Sequence, residues 1–172
     1  MIGEQKSAPT HEEALTKLTE LIKDINIAMM TTQSEEGHLR SRPMATRFPK
    51  DFDGTLWFFT HEDTGKVEEV KSDQQVNLAF TNPEAQRYVS VSGRANLVHD
   101  KDRAKELWNP LFKAWFPQGL DDPQLALLSV KIEEAEYWDT PSSAFVHIAG
   151  FIKATATGKA YHPGENAKLD LN

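Results

Sequence analysis

From residue 10 onward, apolar side chains recur at helical spacing: Ala14, Leu15, Leu18, Leu21, Ile22 and Ile25. Thr10 and Glu13 stand at capping-box spacing ahead of them, so an amphipathic helix is predicted over 10–24. The period then changes to two. "NIAMMTT" (26–32) and "LRSRPMATRF" (39–48) read as a β-hairpin around the turn "SEEGH", with Pro43 placing the second strand at an edge or a bulge. "TLWFFT" (55–60) is a third strand, "GKVEEVKSD" (65–73) a short helix, and "QQVNLAFT" (74–81) a fourth strand. "RYVSVSGRANLV" (87–98) alternates most cleanly, and Gly93 in its middle suggests a sharp bend. A helical region from Asp100 to about Phe116 is interrupted at Asn109-Pro110. "LALLSVKIEEAEYW" (125–138) is a long last strand whose parity slips between Ile132 and Ala135, the mark of a bulge. "PSSAFVHIAGFIKATATG" (141–158) reads as a helix with Ser142 or Ser143 as cap and Gly158 as stop, and "AKLDLN" can add a short strand.

Six strands with mostly short connections predict an antiparallel sheet closed into a small barrel, mainly β with flanking helices. The absence of a βαβ rhythm argues against a Rossmann fold. At 172 residues one domain is expected. Its boundaries are set at 10–172, after a polar and disordered segment over 1–9.

Composition narrows the chemistry. The net charge of −7 argues against broad nucleic-acid binding, which needs a surplus of Lys and Arg. With no cysteine, disulfides, thiolate metal sites and Cys nucleophiles are excluded. No apolar run is long enough for a membrane helix, and "MIGEQKSAPTHEE" lacks a signal core, so a cytoplasmic location is expected. The six histidines show no metal-ligand spacing, so no metal is expected. No nucleophile elbow, Walker loop or dinucleotide fingerprint occurs. The charge runs "HEEALTKLTE" and "KVEEVKSD" read as solvated helix faces. Trp108 and Trp115, seven apart in a helical stretch, read as core or interface packing rather than a ligand cage.

Two segments remain. "RSRPMATR" (40–47) carries Arg40, Arg42 and Arg47 on a strand, ordinarily an exposed face. One hairpin away, "TLWFFTHEDTGKVEEV" runs from a hydrophobic strand into a polar turn and a helix start containing Thr60, Thr64, Gly65 and Lys66. Taken alone, the turn is a strand end with Thr64 as an N-cap. With Arg and Lys beside it in an acidic protein, it is also suited to an anion at a helix N-terminus, next to a wall of Trp57, Phe58 and Phe59.

Together these pieces resemble the pyridoxamine 5′-phosphate oxidase-like flavin-binding split barrels, above all their general-stress-protein branch. The likeness covers roughly residues 12–140: the leading helix, the strand after "RSRPM", the "WFFT" strand with its following Lys, "YVSVSGRA" and "EYWD". It implies a homodimer with FMN at the subunit interface. The family's Arg-x-x-Leu-Leu-Lys strand falls on Arg42, Pro43, Met44, Ala45, Thr46 and Arg47, with Ala45 and Thr46 in place of the leucines and Arg47 in place of the Lys. Its Phe-Tyr-Thr and Ser-Arg-Lys turn fall on Phe58, Phe59, Thr60 and on Thr64, Gly65, Lys66. Gly65 stands where the family has Arg, which leaves Lys66 and Arg42 as the main cations for the phosphate. The family's second-subunit Gln falls on Tyr88, and a Trp of the last strand on Trp138. The oxidases also need a C-terminal Arg/His segment for the vitamin B6 substrate, whereas here no Arg follows Arg103. The resemblance therefore implies FMN binding without the pyridoxamine phosphate site. A flavin-dependent oxidoreductase of unknown substrate is expected; a flavin-storing protein without turnover, or a split barrel for haem or deazaflavin, are the alternatives. No catalytic residue is assigned.

Overall fold

The computed structural model describes residues 9–140 and 164–171. The elements run α1 (His11–Ile22), β1 (Ile27–Gln33), β2 (Leu39–Ala45), β3 (Thr55–His61), α2 (Gly65–Ser72), β4 (Gln75–Asn82), β5 (Arg87–Val98), α3 (Lys101–Leu107), β6 (Leu125–Asp139) and β7 (Glu165–Asp170). Short 3-10 turns at Pro110–Ala114 and Gly119–Asp121 lie between α3 and β6. The predicted helix over 141–158 lies outside the described residues.

All pairings within named strands are antiparallel, in the order β2-β1-β4-β5-β6-β3. An isolated bridge between Arg47 and Trp57 brings the chain after β2 back to β3, which closes the six predicted strands into a ring. The described residues hold a seventh strand, β7, formed by part of the stretch left open as a short strand; it pairs β6. Strand β6 accommodates it because it is 15 residues long. Its first part, Leu125–Lys131, pairs β3, and its last part, Glu134–Asp139, pairs β7. The changeover falls at an irregularity: Ser92 faces Glu134 and Gly93 faces Ile132, leaving Glu133 as the extra residue. This is the parity slip visible in the sequence. Gly93 is required at this point, because a Cβ there would collide with the Lys131 carbonyl oxygen.

The barrel interior takes one residue in two from each strand, including Ala28, Met30, Leu56, Phe58, Leu78, Phe80, Val91 and Leu128. Helix α1 begins with the predicted capping box, Thr10 and Glu13 bonding reciprocally, and buries Ala14, Leu18, Leu21 and Ile22 in the same core. A second cluster forms beyond β3 from Phe59, Ala104, Leu107, Phe112, Phe116 and Leu127. Successive residues on a strand point to opposite faces, so Phe58 enters one core and Phe59 the other. The expectation of one interrupted helix carrying Trp108 and Trp115 at i, i+7 is corrected. Trp108 is the C-cap of α3 in extended backbone, and Trp115 follows the first 3-10 turn. Pro110 after Asn109 ends α3 and starts the new turn, with the Asn109 side chain accepting from the Leu111 N–H.

Candidate functional site

The end of β3 carries Thr60 and His61 into the tight turn 62–64, and α2 starts at Gly65. Thr64 takes the N-cap position, but its hydroxyl does not cap the helix. It donates instead to the His61 carbonyl at 2.9 Å, and the Thr60 hydroxyl donates to the same oxygen at 3.1 Å. The Val67 and Glu68 N–H groups bond to the Thr64 carbonyl, and the helix start, with the dipole's positive end, has no side-chain cap. Lys66 lies in the first turn and is half-buried. It makes no hydrogen bond or ion pair with any described residue. Burial, followed by the nearby Arg42 guanidinium, pushes its ammonium below the ordinary lysine range, while Asp63 opposes them.

Arg42 is not free. Its Nη2 donates to Glu69 at 3.0 Å, and its Nη1 donates to the Thr32 hydroxyl. Glu69 projects inward from α2 and is buried at 7% exposure, which requires partners. Thr32 donates to it, and Arg40 reaches it at 3.3 Å. Burial alone would raise this carboxyl; the Thr32 bond and the Arg42 charge prevail and hold it below the usual glutamate range.

Lys66 stands at a pocket of about 360 Å³. Pro43, Met44 and Ala45 of β2 line it together with Ile27 of β1, Phe59, Thr60 and His61 of β3, and Thr64. The remaining wall is aromatic: Phe112, Trp115 and Phe116, from the segment between α3 and β6. Phe59 meets Phe112 with ring centroids 5.1 Å apart, and the His61 ring packs edge-on to Phe116 at 4.6 Å. The pocket therefore has at one side a cation with no hydrogen bond or ion pair among the described residues, and at the other a broad apolar, aromatic surface. A larger crevice of about 550 Å³ lies between α3 and the turn before β6. Its walls mix Lys101 and Lys105 with Asp100, Asp121 and Asp122, and it holds none of the residues singled out in the sequence.

Of the predicted site residues, Pro43, Met44, Ala45, Phe59, Thr60, Thr64 and Lys66 converge on the pocket. Gly65 adjoins it and is exposed, with open space where a Cβ would project. Arg42 lies within electrostatic reach of Lys66 but points to Glu69. Six others lie away from the pocket walls. Phe58 is in the barrel core. Trp57 lies under the Arg103 guanidinium, 5.3 Å from the ring. Thr46 is buried, its hydroxyl without a partner among the described residues. Arg47 donates from Nε to the Leu107 carbonyl at 2.9 Å and stacks over Phe112, so it fastens the aromatic wall from behind. Tyr88 and Trp138 face each other across β5 and β6 on the outside of the sheet, each 43% exposed. Sequence reasoning missed Ile27, His61, Phe112, Trp115 and Phe116. Trp115 is a pocket residue, not only packing; the aromatic density of "LFKAWF" beside a Pro was the available signal.

A family model described as pyridoxamine 5′-phosphate oxidase like matches residues 13–162. The chain belongs to this family. Protein bli-3 of Neurospora crassa is 31% identical over 157 residues, spanning 86% of this chain and 75% of that protein. The general stress FMN/FAD binding protein of Xanthomonas citri is 31% identical with a TM-score of 0.66, over 77% of this chain and 92% of the other. A general stress protein 26 from Jannaschia sp. CCS1 has the same fold, with a TM-score of 0.72 at 22% identity over 90% and 99% of the two chains. These likenesses agree with the mainly β, antiparallel split-barrel fold class. Among the described residues no helix is long and apolar enough to cross a membrane.

Proposed function

We propose that this protein binds FMN in the pocket between β2, β3 and the aromatic segment, with the phosphate at Lys66. The observation that carries the reading is the unpaired, half-buried lysine beside an uncapped helix start, at the rim of an aromatic pocket. A phosphate there would supply the missing counter-charge and accept from the free N–H groups. As oriented, the Thr60 and Thr64 hydroxyls donate to the His61 carbonyl, so each must rotate before it can donate to a phosphate. The flat flavin ring fits against Ala45, Phe59 and the Phe112–Phe116 wall, and the Xanthomonas citri relative is named an FMN/FAD binding protein.

The second copy of a homodimer completes this site. An apolar band crosses the outside of the sheet: Ala45 beside Ile27, Pro43 and Ala79 beside Met29, then Tyr88 opposite Trp138. Ile27, Met29, Tyr88 and Trp138 are each at least 40% exposed. A band of this extent on one chain fits a subunit interface, and such an interface in an obligate dimer covers roughly 2,000 Å² or more. Tyr88 and Trp138 then act on the partner's pocket rather than on their own.

Bound flavin supplies redox chemistry, accepting and passing on hydride or electrons. This chain's residues hold the phosphate, wall off the ring and exclude water. No described side chain beside the pocket is assigned as an acid or base, and the reading of an oxidoreductase stays at that level. The absence of Arg after Arg103 predicts no oxidation of pyridoxamine phosphate at ordinary enzyme rates, about 1 s⁻¹ or more. The test is an absorption spectrum of the purified protein with flavin titrations by fluorescence quenching. Flavin bands and saturable FMN binding at one per chain are expected. A Soret band, or no flavin binding at all, overturns the reading.

A further inference from the structure

Lys66 has a property that phosphate binding does not use. Lys17, Lys71 and Lys131 each have a partner: Glu165 at 3.4 Å, Glu68 at 3.0 Å and the Asp53 carbonyl at 3.0 Å. Lys66 has none among the described residues; exposed lysines such as Lys23 and Lys113 lack one too, but Lys66 is half-buried and, among the described residues, is the one lysine that lines the aromatic pocket. The charged groups facing it are Arg42, which disfavours its ammonium, and Asp63, which favours it; Glu69, the nearest buried carboxylate, is spent on Arg42, Arg40 and Thr32. Among the described residues no carboxylate hydrogen-bonds the Lys66 ammonium, and Asp63 acts on it only through its charge.

We propose that, when no anion is bound, Lys66 is a carbonyl-capturing amine that forms an imine with aromatic aldehydes entering the pocket. The neutral Nζ attacks the carbonyl carbon; after proton transfer, the carbonyl oxygen leaves as water and a C=N bond replaces C=O. Both N–H hydrogens leave with the oxygen in that water, no oxidant or reductant takes part, and hydrolysis regenerates the amine and the aldehyde. Phe59, Phe112 and Phe116 give an aldehyde's ring an apolar surface, and Thr60 and Thr64 line the same pocket as Lys66. An unpaired lysine in an apolar site next to a second cation is the environment that activates an amine for this reaction. The inference concerns the pocket of the proposed flavin site but stands on the geometry of Lys66, not on the flavin. If both hold, aldehyde and FMN exclude one another, because the phosphate would restore the ammonium.

The test uses the full chain stripped of small ligands, at neutral pH, with pyridoxal 5′-phosphate as the charged probe and benzaldehyde as the uncharged one. Sodium cyanoborohydride reduces any imine to a stable secondary amine, and peptide mass mapping locates it. With limiting probe, Lys66 is expected to be modified at least about tenfold faster than any other lysine, with both probes. Lys66→Arg, which keeps the charge and whose folding is checked by circular dichroism, should lose that adduct and no other. Even labelling across the surface lysines, or preferential labelling elsewhere, overturns the proposal. Adding FMN separates the two readings. Selective labelling that FMN does not block supports the reactive amine and overturns the phosphate contact. Tight FMN binding to a chain whose free Lys66 is unreactive does the reverse.

Discussion

Phe58 and Phe59 are neighbours on one strand and serve different regions of the molecule. Phe58 is wholly buried among Leu56, Leu78, Phe80 and Leu128 in a barrel of strand ladders closed between β2 and β3 by a single bridge. Phe59 packs in a smaller cluster with Ala104 and Leu107 of α3, Phe112 of the first 3-10 turn, Phe116 just after it, and Leu127 of β6. The barrel cluster is tied by ladders of backbone hydrogen bonds. The second is fastened to the barrel by scattered polar contacts: Arg47 to the Leu107 carbonyl, Arg103 to Asp51, and His99 to Glu62. The difference separates stability from binding. The region that holds the fold is sealed, and the pocket forms against the region that is held less tightly.

The largest expected effect tests that division directly. Phe58→Ala should cost about 3–5 kcal/mol of unfolding free energy, since the barrel cannot collapse around the void. Phe59→Ala should cost less than about 3 kcal/mol, because its cluster borders the pocket and can relax, yet it should weaken flavin and riboflavin alike. Urea denaturation followed by circular dichroism, with parallel flavin titrations, gives both numbers. Equal stability losses would erase the distinction between the two regions.

Next in size is the cation. Lys66→Met removes one charged hydrogen bond worth roughly 1.5–3 kcal/mol, so FMN should bind about tenfold to a hundredfold more weakly. Riboflavin, lacking the phosphate, should hardly respond, and the unfolding curve should stay in place. A parallel loss of both ligands would mean that Lys66 acts through packing.

Glu69 provides a test from the barrel side of the pocket. Its folded pKa is held below the ordinary 4.5 despite burial, so its ionised form adds stability above the unfolded value. That contribution is lost as pH falls through the lower, folded pKa. The stability advantage of the native chain over Glu69→Gln should therefore be constant between about pH 6 and 8 and shrink below about pH 4. An advantage that grew on acidification would show that the carboxyl is protonated in the fold.

The smallest effect belongs to Trp115, which is 66% exposed at the pocket lip. Trp115→Ala should alter stability by no more than about 0.5 kcal/mol. Much of the tryptophan quenching on flavin addition should disappear with it. Unchanged quenching would place the flavin ring elsewhere.

The periodic parts of the chain were open to reading because they follow local rules. Alternation along 87–98 places Val89, Val91 and Ala95 inside; the slip between Ile132 and Ala135 marks the irregularity at Glu133; Thr10 with Glu13 caps α1. Each depends on residues a few positions apart, so backbone geometry transmits it without reference to the rest of the molecule. The cation turn at Thr64–Lys66 was legible for the same reason, together with the family resemblance.

What only the tertiary structure decided is where side chains of distant origin meet. Arg42 and Lys66 read alike as phosphate cations, but the fold turns Arg42 onto Glu69, 27 positions along the chain, and leaves Lys66 without a hydrogen bond or ion pair among the described residues. Arg47 reads as a ligand contact, yet its guanidinium fastens Leu107, 60 positions away. Phe112, Trp115 and Phe116 carry no period that points to a pocket; they reach it because Pro110 breaks α3 and the next turn folds back over Phe59. A sequence states which charges and rings are present. Whether a charge is matched or left unpaired depends on burial and on partners brought in by long-range packing, and neither exists until the chain has closed.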